Sequence, residues 1–308
     1  MIKDLFKDMG KYLPVYIVPS VIGFFTLPLY TRILSSPDAY GDYILVSTSV
    51  TVMMILTINW ITSSIIRFYP EYKKENNLKI FFQSVNTLLA FSVAIGVLLV
   101  FMAAGILKAR SHDVLYKLML IGGTIYFFRA ISQPNLDLLR IKRKVNHFTS
   151  FSLAQSILGV LFGVGFVILF KTGIAGLLWG MALTYTILLP FIIISSSDEP
   201  IFSIGKVSRD LFREMVAYGI PGAAIGLSTW FMSLGDRYLL KMLADSAQVG
   251  IYSASYNVTD QSIHIIIALF YIAEAPIAMN LWVQKGLRAS RQFRSQITKY
   301  YILTALPA

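Results

Sequence analysis

Long apolar runs alternate with short polar breaks along this chain, and the runs set its architecture. They lie near Tyr12–Leu34, Tyr43–Ile66, Ile80–Leu107, Leu118–Leu139, Phe148–Phe170, Ile174–Ser195, Val216–Leu240 and Gly250–Ala275. Each is long enough to cross a bilayer core of roughly 30 Å as a helix. A ninth run begins near Tyr300 and continues to Ala308 without a polar exit. An isolated apolar run in lipid must satisfy its own backbone, so helices are predicted throughout and strands nowhere. The pattern predicts an all-α, polytopic membrane protein with eight complete transmembrane helices plus part of a ninth.

Composition agrees: of 308 residues, 56% are hydrophobic and only 14% charged, too apolar for a soluble domain. The net charge of +11 invites a nucleic-acid reading, but its placement argues for membrane orientation. With the N-terminus cytoplasmic, nineteen of the 27 Lys and Arg fall on inner segments and seven on outer ones, with Arg129 inside a helix. That is a clear positive-inside bias, and no nucleic-acid partner is expected. Lys3, Lys7 and Lys11 before an apolar stretch resemble a signal peptide. The stretch is too long, however, carries Pro14, Pro19 and Pro28, and lacks a small-residue cleavage site, so it is read as a retained first helix.

Enzyme chemistry finds no home. The longest loop, Ser196 to Met215, is too short for a catalytic domain. Cysteine is absent, the three histidines (His112, His147, His264) are scattered, and neither a phosphate-binding glycine loop nor metal-ligand spacing is present. No cofactor and no metal are expected. Ser197-Asp198-Glu199 reads as a solvated turn.

A weak internal repeat is visible. Pro14, Arg32 and Gly41 are echoed by Pro221, Arg237 and Gly250, at shifts of 207, 205 and 209. Such drift over such a distance suggests duplication of a helix bundle, the plan on which secondary transporters place a substrate site between halves. Gly159–Gly163 and Gly176–Gly180 are small-residue spacings that predict close helix packing. The prolines of the first helix are expected to bend or loosen it. The basic tract Leu281 to Lys299, with Trp282, Leu287 and Phe293, is expected to lie on the inner surface against anionic membrane lipid.

Thr31-Arg32-Ile33-Leu34 with Tyr40-Gly41, Arg67-Phe68-Tyr69-Pro70-Glu71-Tyr72, and Tyr218-Gly219-Ile220-Pro221 leading to Trp230 and Asp236-Arg237-Tyr238 resemble the polysaccharide flippases of O-antigen type. These belong to the superfamily of multidrug, oligosaccharidyl-lipid and polysaccharide exporters. The resemblance covers nearly the whole chain. It implies two six-helix bundles around a central cavity that alternates between faces, with a glycan on undecaprenyl pyrophosphate as cargo. It also implies the bacterial cytoplasmic (inner) membrane and possible company from other polysaccharide assembly proteins. On this basis residues 1–200 form the N-terminal bundle and 201–308 an incomplete C-terminal one. Such proteins carry twelve or more spans, so the chain is expected to be C-terminally truncated. The alternatives are a cation-coupled multidrug exporter of the same superfamily and, from another class, a membrane glycan polymerase or ligase.

A pyrophosphate cargo requires fixed positive charge in the cavity, so ionisable residues within the membrane are the first candidates. Arg129 lies midway along the fourth run, and helical spacing sets Tyr126, Arg129, Gln133 and Arg140 on one face. Arg129 either meets the cargo phosphates or is tied to a neighbouring carboxylate, Asp137 or Asp260. On the eighth run, Ser253, Asn257, Asp260, Gln261 and His264 form a polar stripe. Asn257 and Gln261 are candidate substrate contacts. Asp260 and His264 either couple a proton or cation or simply join helices. Arg67 either meets the incoming cargo or signals topology. Arg32 and the pair Asp236-Arg237 either face one another as a gate or anchor the interface.

Overall fold

The structure, a computed structural model, describes residues 2–34, 36–196, 205 and 207–305, with the side chains at 2–13, 16, 261–285, 301, 304 and 305 excepted. Among the described residues ten helices follow in order: α1 (Ile2–Ile33), α2 (Pro37–Thr57), α3 (Asn59–Lys74), α4 (Leu78–Ala109), α5 (Asp113–Ile141), α6 (Val145–Phe170), α7 (Ile174–Ser196), α8 (Arg209–Leu234), α9 (Asp236–Leu243) and α10 (Ser246–Ala305). No strand occurs among the described residues. Among them α2, α4, α5, α6, α7 and α8 are long and apolar enough to cross a membrane, and Ile17–Ile33 of α1 is a shorter apolar stretch.

Two expected spans are interrupted. The second breaks at Ile58 into α2 and α3. Just before the break, the Thr57 hydroxyl donates back to the Met53 carbonyl at 2.6 Å, a competing bond of the kind that bends helices, and sits 2.7 Å from the Tyr126 hydroxyl. The seventh breaks at Gly235, between α8 and the eight-residue α9; glycine holds a helix interior weakly. The eighth run and the start of the ninth lie on two helical stretches that meet at a kink at Gly286 (φ 80°, ψ 177°) and together make up α10. Pro14, Pro19 and Pro28 lie inside α1, which continues through all three.

Three of the connections share one design. Asn76, Ser111 and Arg143 adopt left-handed φ values of 62°, 59° and 55° just past α3, α4 and α5. The next amide reaches back five residues in each case: Asn77 to the Tyr72 carbonyl, His112 to Leu107 and Lys144 to Leu139. This motif satisfies carbonyls that would otherwise end orphaned in or near lipid. It also turns the chain sharply enough for antiparallel neighbours joined by short loops.

The chain divides into two compact units, Ile33–Ile251 and Met1–Arg32 with Tyr252–Ala308. In the first, α5 sits against α2, α3, α4, α6 and α7. Leu45, Val50 and Met54 of α2 pack with Val93 and Val100 of α4, Ile125 and Tyr126 of α5 and Leu178 of α7. A second cluster, including Ile61, Phe68, Phe81, Leu138, Leu211 and Met215, joins α3, α4, α5 and α8 at the other end. Here Gly219 of the Tyr-Gly-Ile-Pro segment earns its place by contact: a Cβ there would strike the Trp60 carbonyl oxygen. On α6 and α7 the expected glycine packing holds at Gly163, Gly176 and Gly180, whereas Gly159 faces open space. Phe91, Phe101, Leu169 and Ile194 are exposed on the outside of their helices, as a lipid-facing surface requires.

Candidate functional site

The polar face of α5 proves to be three arrangements rather than one ladder. Tyr126 is fully buried. Its hydroxyl lies 2.7 Å from Thr57 Oγ1 and donates to the Ser92 carbonyl at 3.4 Å, and its ring tip fills space that a Cβ on Gly96 would occupy. It is therefore a fixed part of the core. At the far end, buried Asp137 accepts from Gln133 Nε2 at 3.1 Å and pairs with Arg140 Nη2 at 3.1 Å. Gln133 and Arg140 are thus occupied by a carboxylate on their own helix.

Arg129 stands between these two. It is half-buried, and among the described residues no hydrogen bond or ion pair engages its guanidinium. Asp137, one of the acids expected as its partner, is taken by Gln133 and Arg140. The direction of Arg129 follows from its neighbours. Leu120, Gly123, Thr124 and Phe127 share one face of α5 and, with Val97, Val100 and Phe101 of α4, line an apolar groove of about 230 Å³. Phe101 and Phe127 at that groove are 61% and 40% exposed, the apolar exposure that a lipid-facing surface requires. Arg129 follows Phe127 by two residues, which turns it about 200° away. The charge therefore projects from the side of α5 opposite the lipid-facing groove.

The remaining candidates are dispersed. Arg67 is exposed, forms a 3.6 Å pair with Glu71 and lies over the Phe68 ring. Nearby, burial raises the pKa of the Tyr72 phenol, and the acids Glu214, Glu75, Glu71 and Asp210 add to it. Arg32 is exposed at the end of α1, in one unit, while Asp236 and Arg237 belong to the other. Arg237 is only 1% exposed; its Nη1 donates to the Ser233 carbonyl at 2.7 Å and to Asp236 Oδ1 at 3.0 Å. On α10, Ser253 is buried and Asn257 and Asp260 are half-buried. The side chains of Gln261 and His264 lie outside the described residues.

A polar seam on α2 escaped the sequence reading. The Tyr238 hydroxyl of α9 is 2.6 Å from Ser49 Oγ and 3.2 Å from Thr48 Oγ1, and donates to the Leu45 carbonyl at 3.3 Å. Trp230 leans on the same ring. Toward the start of α2, Ser246 donates to Asp42 Oδ1 at 2.5 Å and receives a hydrogen bond from Lys241 Nζ. The run Ser47-Thr48-Ser49-Val50-Thr51 was the available signal, because hydroxyls concentrated on one membrane helix need partners. Among the described residues, no group of three or more His, Asp or Glu is placed to hold a metal ion.

Comparison with known proteins adds a family and a fold. The profile of the family described as "Polysaccharide biosynthesis protein" matches residues 5–281. No curated protein matches the chain. Among solved structures, an outward-facing multidrug resistance MATE family transporter of the MOP superfamily is similar over 95% of this chain and 70% of its own, with 14% identity and TM-score 0.62. An inward-facing form with that description is similar over 96% and 69%, with 12% identity and TM-score 0.59. A MOP superfamily transporter from Pyrococcus furiosus, described as having a binding pocket of reverse polarity, is similar over 96% and 74%, with 14% identity and TM-score 0.54. With several apolar helices long enough to span a membrane and a fold like that of these transporters, the chain belongs to the family described as "Polysaccharide biosynthesis protein".

Proposed function

We propose that the protein moves a lipid-linked oligosaccharide, a glycan on undecaprenyl pyrophosphate, across the bacterial cytoplasmic membrane by alternating access. In this reading residues 1–200 and 201–308 belong to two bundles that rock about a central site, and other polysaccharide assembly proteins supply or receive the glycan. The observation that carries it is Arg129: a half-buried guanidinium midway along a membrane helix, turned away from lipid, with no partner among the described residues. A charge so placed is costly unless it meets water or an anion. A guanidinium presents a planar fork of donors that suits the oxygens of a pyrophosphate. Gln133 and Arg140, one to three turns on, supply further donors once the cargo competes with Asp137 for them. Arg67 and Asn257 are assigned to the entry and to the glycan, and Gln261 to the same stripe as Asn257.

The second reading, a cation-coupled multidrug exporter, is favoured by the multidrug transporters among the similar folds. It asks for carboxylates facing the cavity, with Asp260 and His264 as the coupling pair. The two readings predict opposite cargo charge, and Arg129 separates them. Arg129→Ala should lower glycan export by roughly tenfold to a hundredfold, the weight of a hydrogen bond to a charged group, at unchanged membrane abundance. Arg129→Lys should retain part of it. Normal glycan export in Arg129→Ala, or cationic drug efflux that survives the change, would remove the anionic-cargo reading.

A further inference from the structure

A separate feature lies where α2 and α10 begin, and it ties the internal repeat to a moving part. Pro37 and Ser246 open the two helices, and Gly41 and Gly250 follow four residues later, so both pairs are 209 apart. A Cβ on Gly41 would strike the Ser246 carbonyl oxygen, and a Cβ on Gly250 would strike the Pro37 carbonyl oxygen. Each glycine therefore meets the residue four before the other. Such reciprocity is what a local two-fold axis produces, with residue i on j and j on i. The crossing joins corresponding points of the two repeats.

We infer that this crossing is the gate that closes the bundle at the end away from the basic loops, with Lys241, Ser246 and Asp42 as its latch. The inference rests on the alternating-access reading above. Three features distinguish it from a static seam. The closest contacts are backbone against glycine, so the helices separate without unthreading interlocked side chains. The link across the crossing is made of an ammonium, a hydroxyl and a carboxylate, all of which water can satisfy when they part. Behind it, the Tyr238 hydroxyl on Ser49, Thr48 and the Leu45 carbonyl forms a second polar tie of the same kind. Ser246 of the latch is buried and Asp42 half-buried, so parting the helices would give both groups to water.

The chain has no cysteine, which makes the test direct. In Val249→Cys the only thiol sits at a fully buried position one residue from Gly250, and its reaction with a membrane-impermeant maleimide added outside reports opening. Adding Asp42→Asn should raise the labelling rate roughly fivefold or more, the usual span of a coupling between linked states. In Asp42→Cys with Ser246→Cys, oxidation should form a disulfide that stops glycan export, and reduction should restore it. Equal labelling with and without Asp42→Asn, failure of that disulfide to form, or export that continues through it would overturn the gate. Increased labelling in a chain that exports no glycan even when reduced would leave the gate standing and remove the cargo reading. If Val249→Cys fails to accumulate, Ala39→Cys, buried in the first turn of α2, carries the same labelling measurement.

Discussion

The middle of α5 and the start of α2 treat polar groups in opposite ways. At the crossing of α2 and α10, Asp42, Ser246 and Lys241 satisfy one another, and the Tyr238 hydroxyl finds three oxygens. On α5, Tyr126 and Asp137 are as well served, but Arg129 between them has no partner among the described residues. A membrane protein can hold a satisfied polar group for structure alone. An unsatisfied charge at that depth is costly, and it persists where a ligand or water supplies the missing partner. Under the proposed function, the contrast is between groups that hold the protein in one state and a group available to cargo.

The largest expected effect comes from filling the crossing. Gly250→Leu presses a side chain against the Pro37 backbone, which no rotamer change can relieve. Overpacking of this kind costs about 1–3 kcal/mol or more, and here it should force the helix starts apart. Thermal unfolding in detergent should show a clear loss, and Val249→Cys in the same chain should react rapidly with maleimide. Unchanged stability would mean that the two helices do not meet there.

Asp137→Ala comes next and sharpens the α5 side. Removing the carboxylate frees Gln133 and Arg140 while stranding no charge in the core, because Arg140 is 42% exposed at its side chain. Export should persist within about tenfold, whereas Arg129→Ala should lose more. The reverse order would shift the cargo site toward the end of α5. Tyr238→Phe is smaller: it leaves Ser49 and Thr48 bonded to the Leu45 and Ile44 carbonyls of their own helix, so a loss of about 1 kcal/mol is expected by denaturant titration. Arg143→Gly is smallest and opposite in sign. Its φ of 55° carries a Cβ strain of about 1–2 kcal/mol that glycine lacks, offset by the roughly 0.5–1 kcal/mol of backbone entropy that glycine loses on folding, so unfolding should shift upward by only about 0.5 kcal/mol.

Much of the scaffold was legible because hydrocarbon allows few solutions. The third to sixth apolar runs match α4 to α7, and the Gly41 to Gly250 shift of 209 turned out to mark a real contact. The breaks at Ile58 and Gly235 were not legible, since one depends on a hydroxyl shared between Thr57 and Tyr126, 69 residues apart. Arg129 stood out because an ionisable residue in the middle of an apolar run is conspicuous. Its neighbours misled: Tyr126, Gln133 and Arg140 share its face by angle, yet a packed core and Asp137 claim them first. The spacing of Asp137, four after Gln133 and three before Arg140, was in plain view and carried that information. Tyr238 was opaque, because its partners lie some 190 residues away on α2.

The most direct measurement is binding of undecaprenyl pyrophosphate to the purified protein, followed with and without Arg129→Ala. The account predicts measurable affinity for the pyrophosphate, weaker affinity for undecaprenol lacking phosphate, and a fall of roughly tenfold or more in Arg129→Ala that Arg129→Lys partly restores. Equal binding of the phosphorylated and unphosphorylated lipids, unaffected by either substitution, would contradict it.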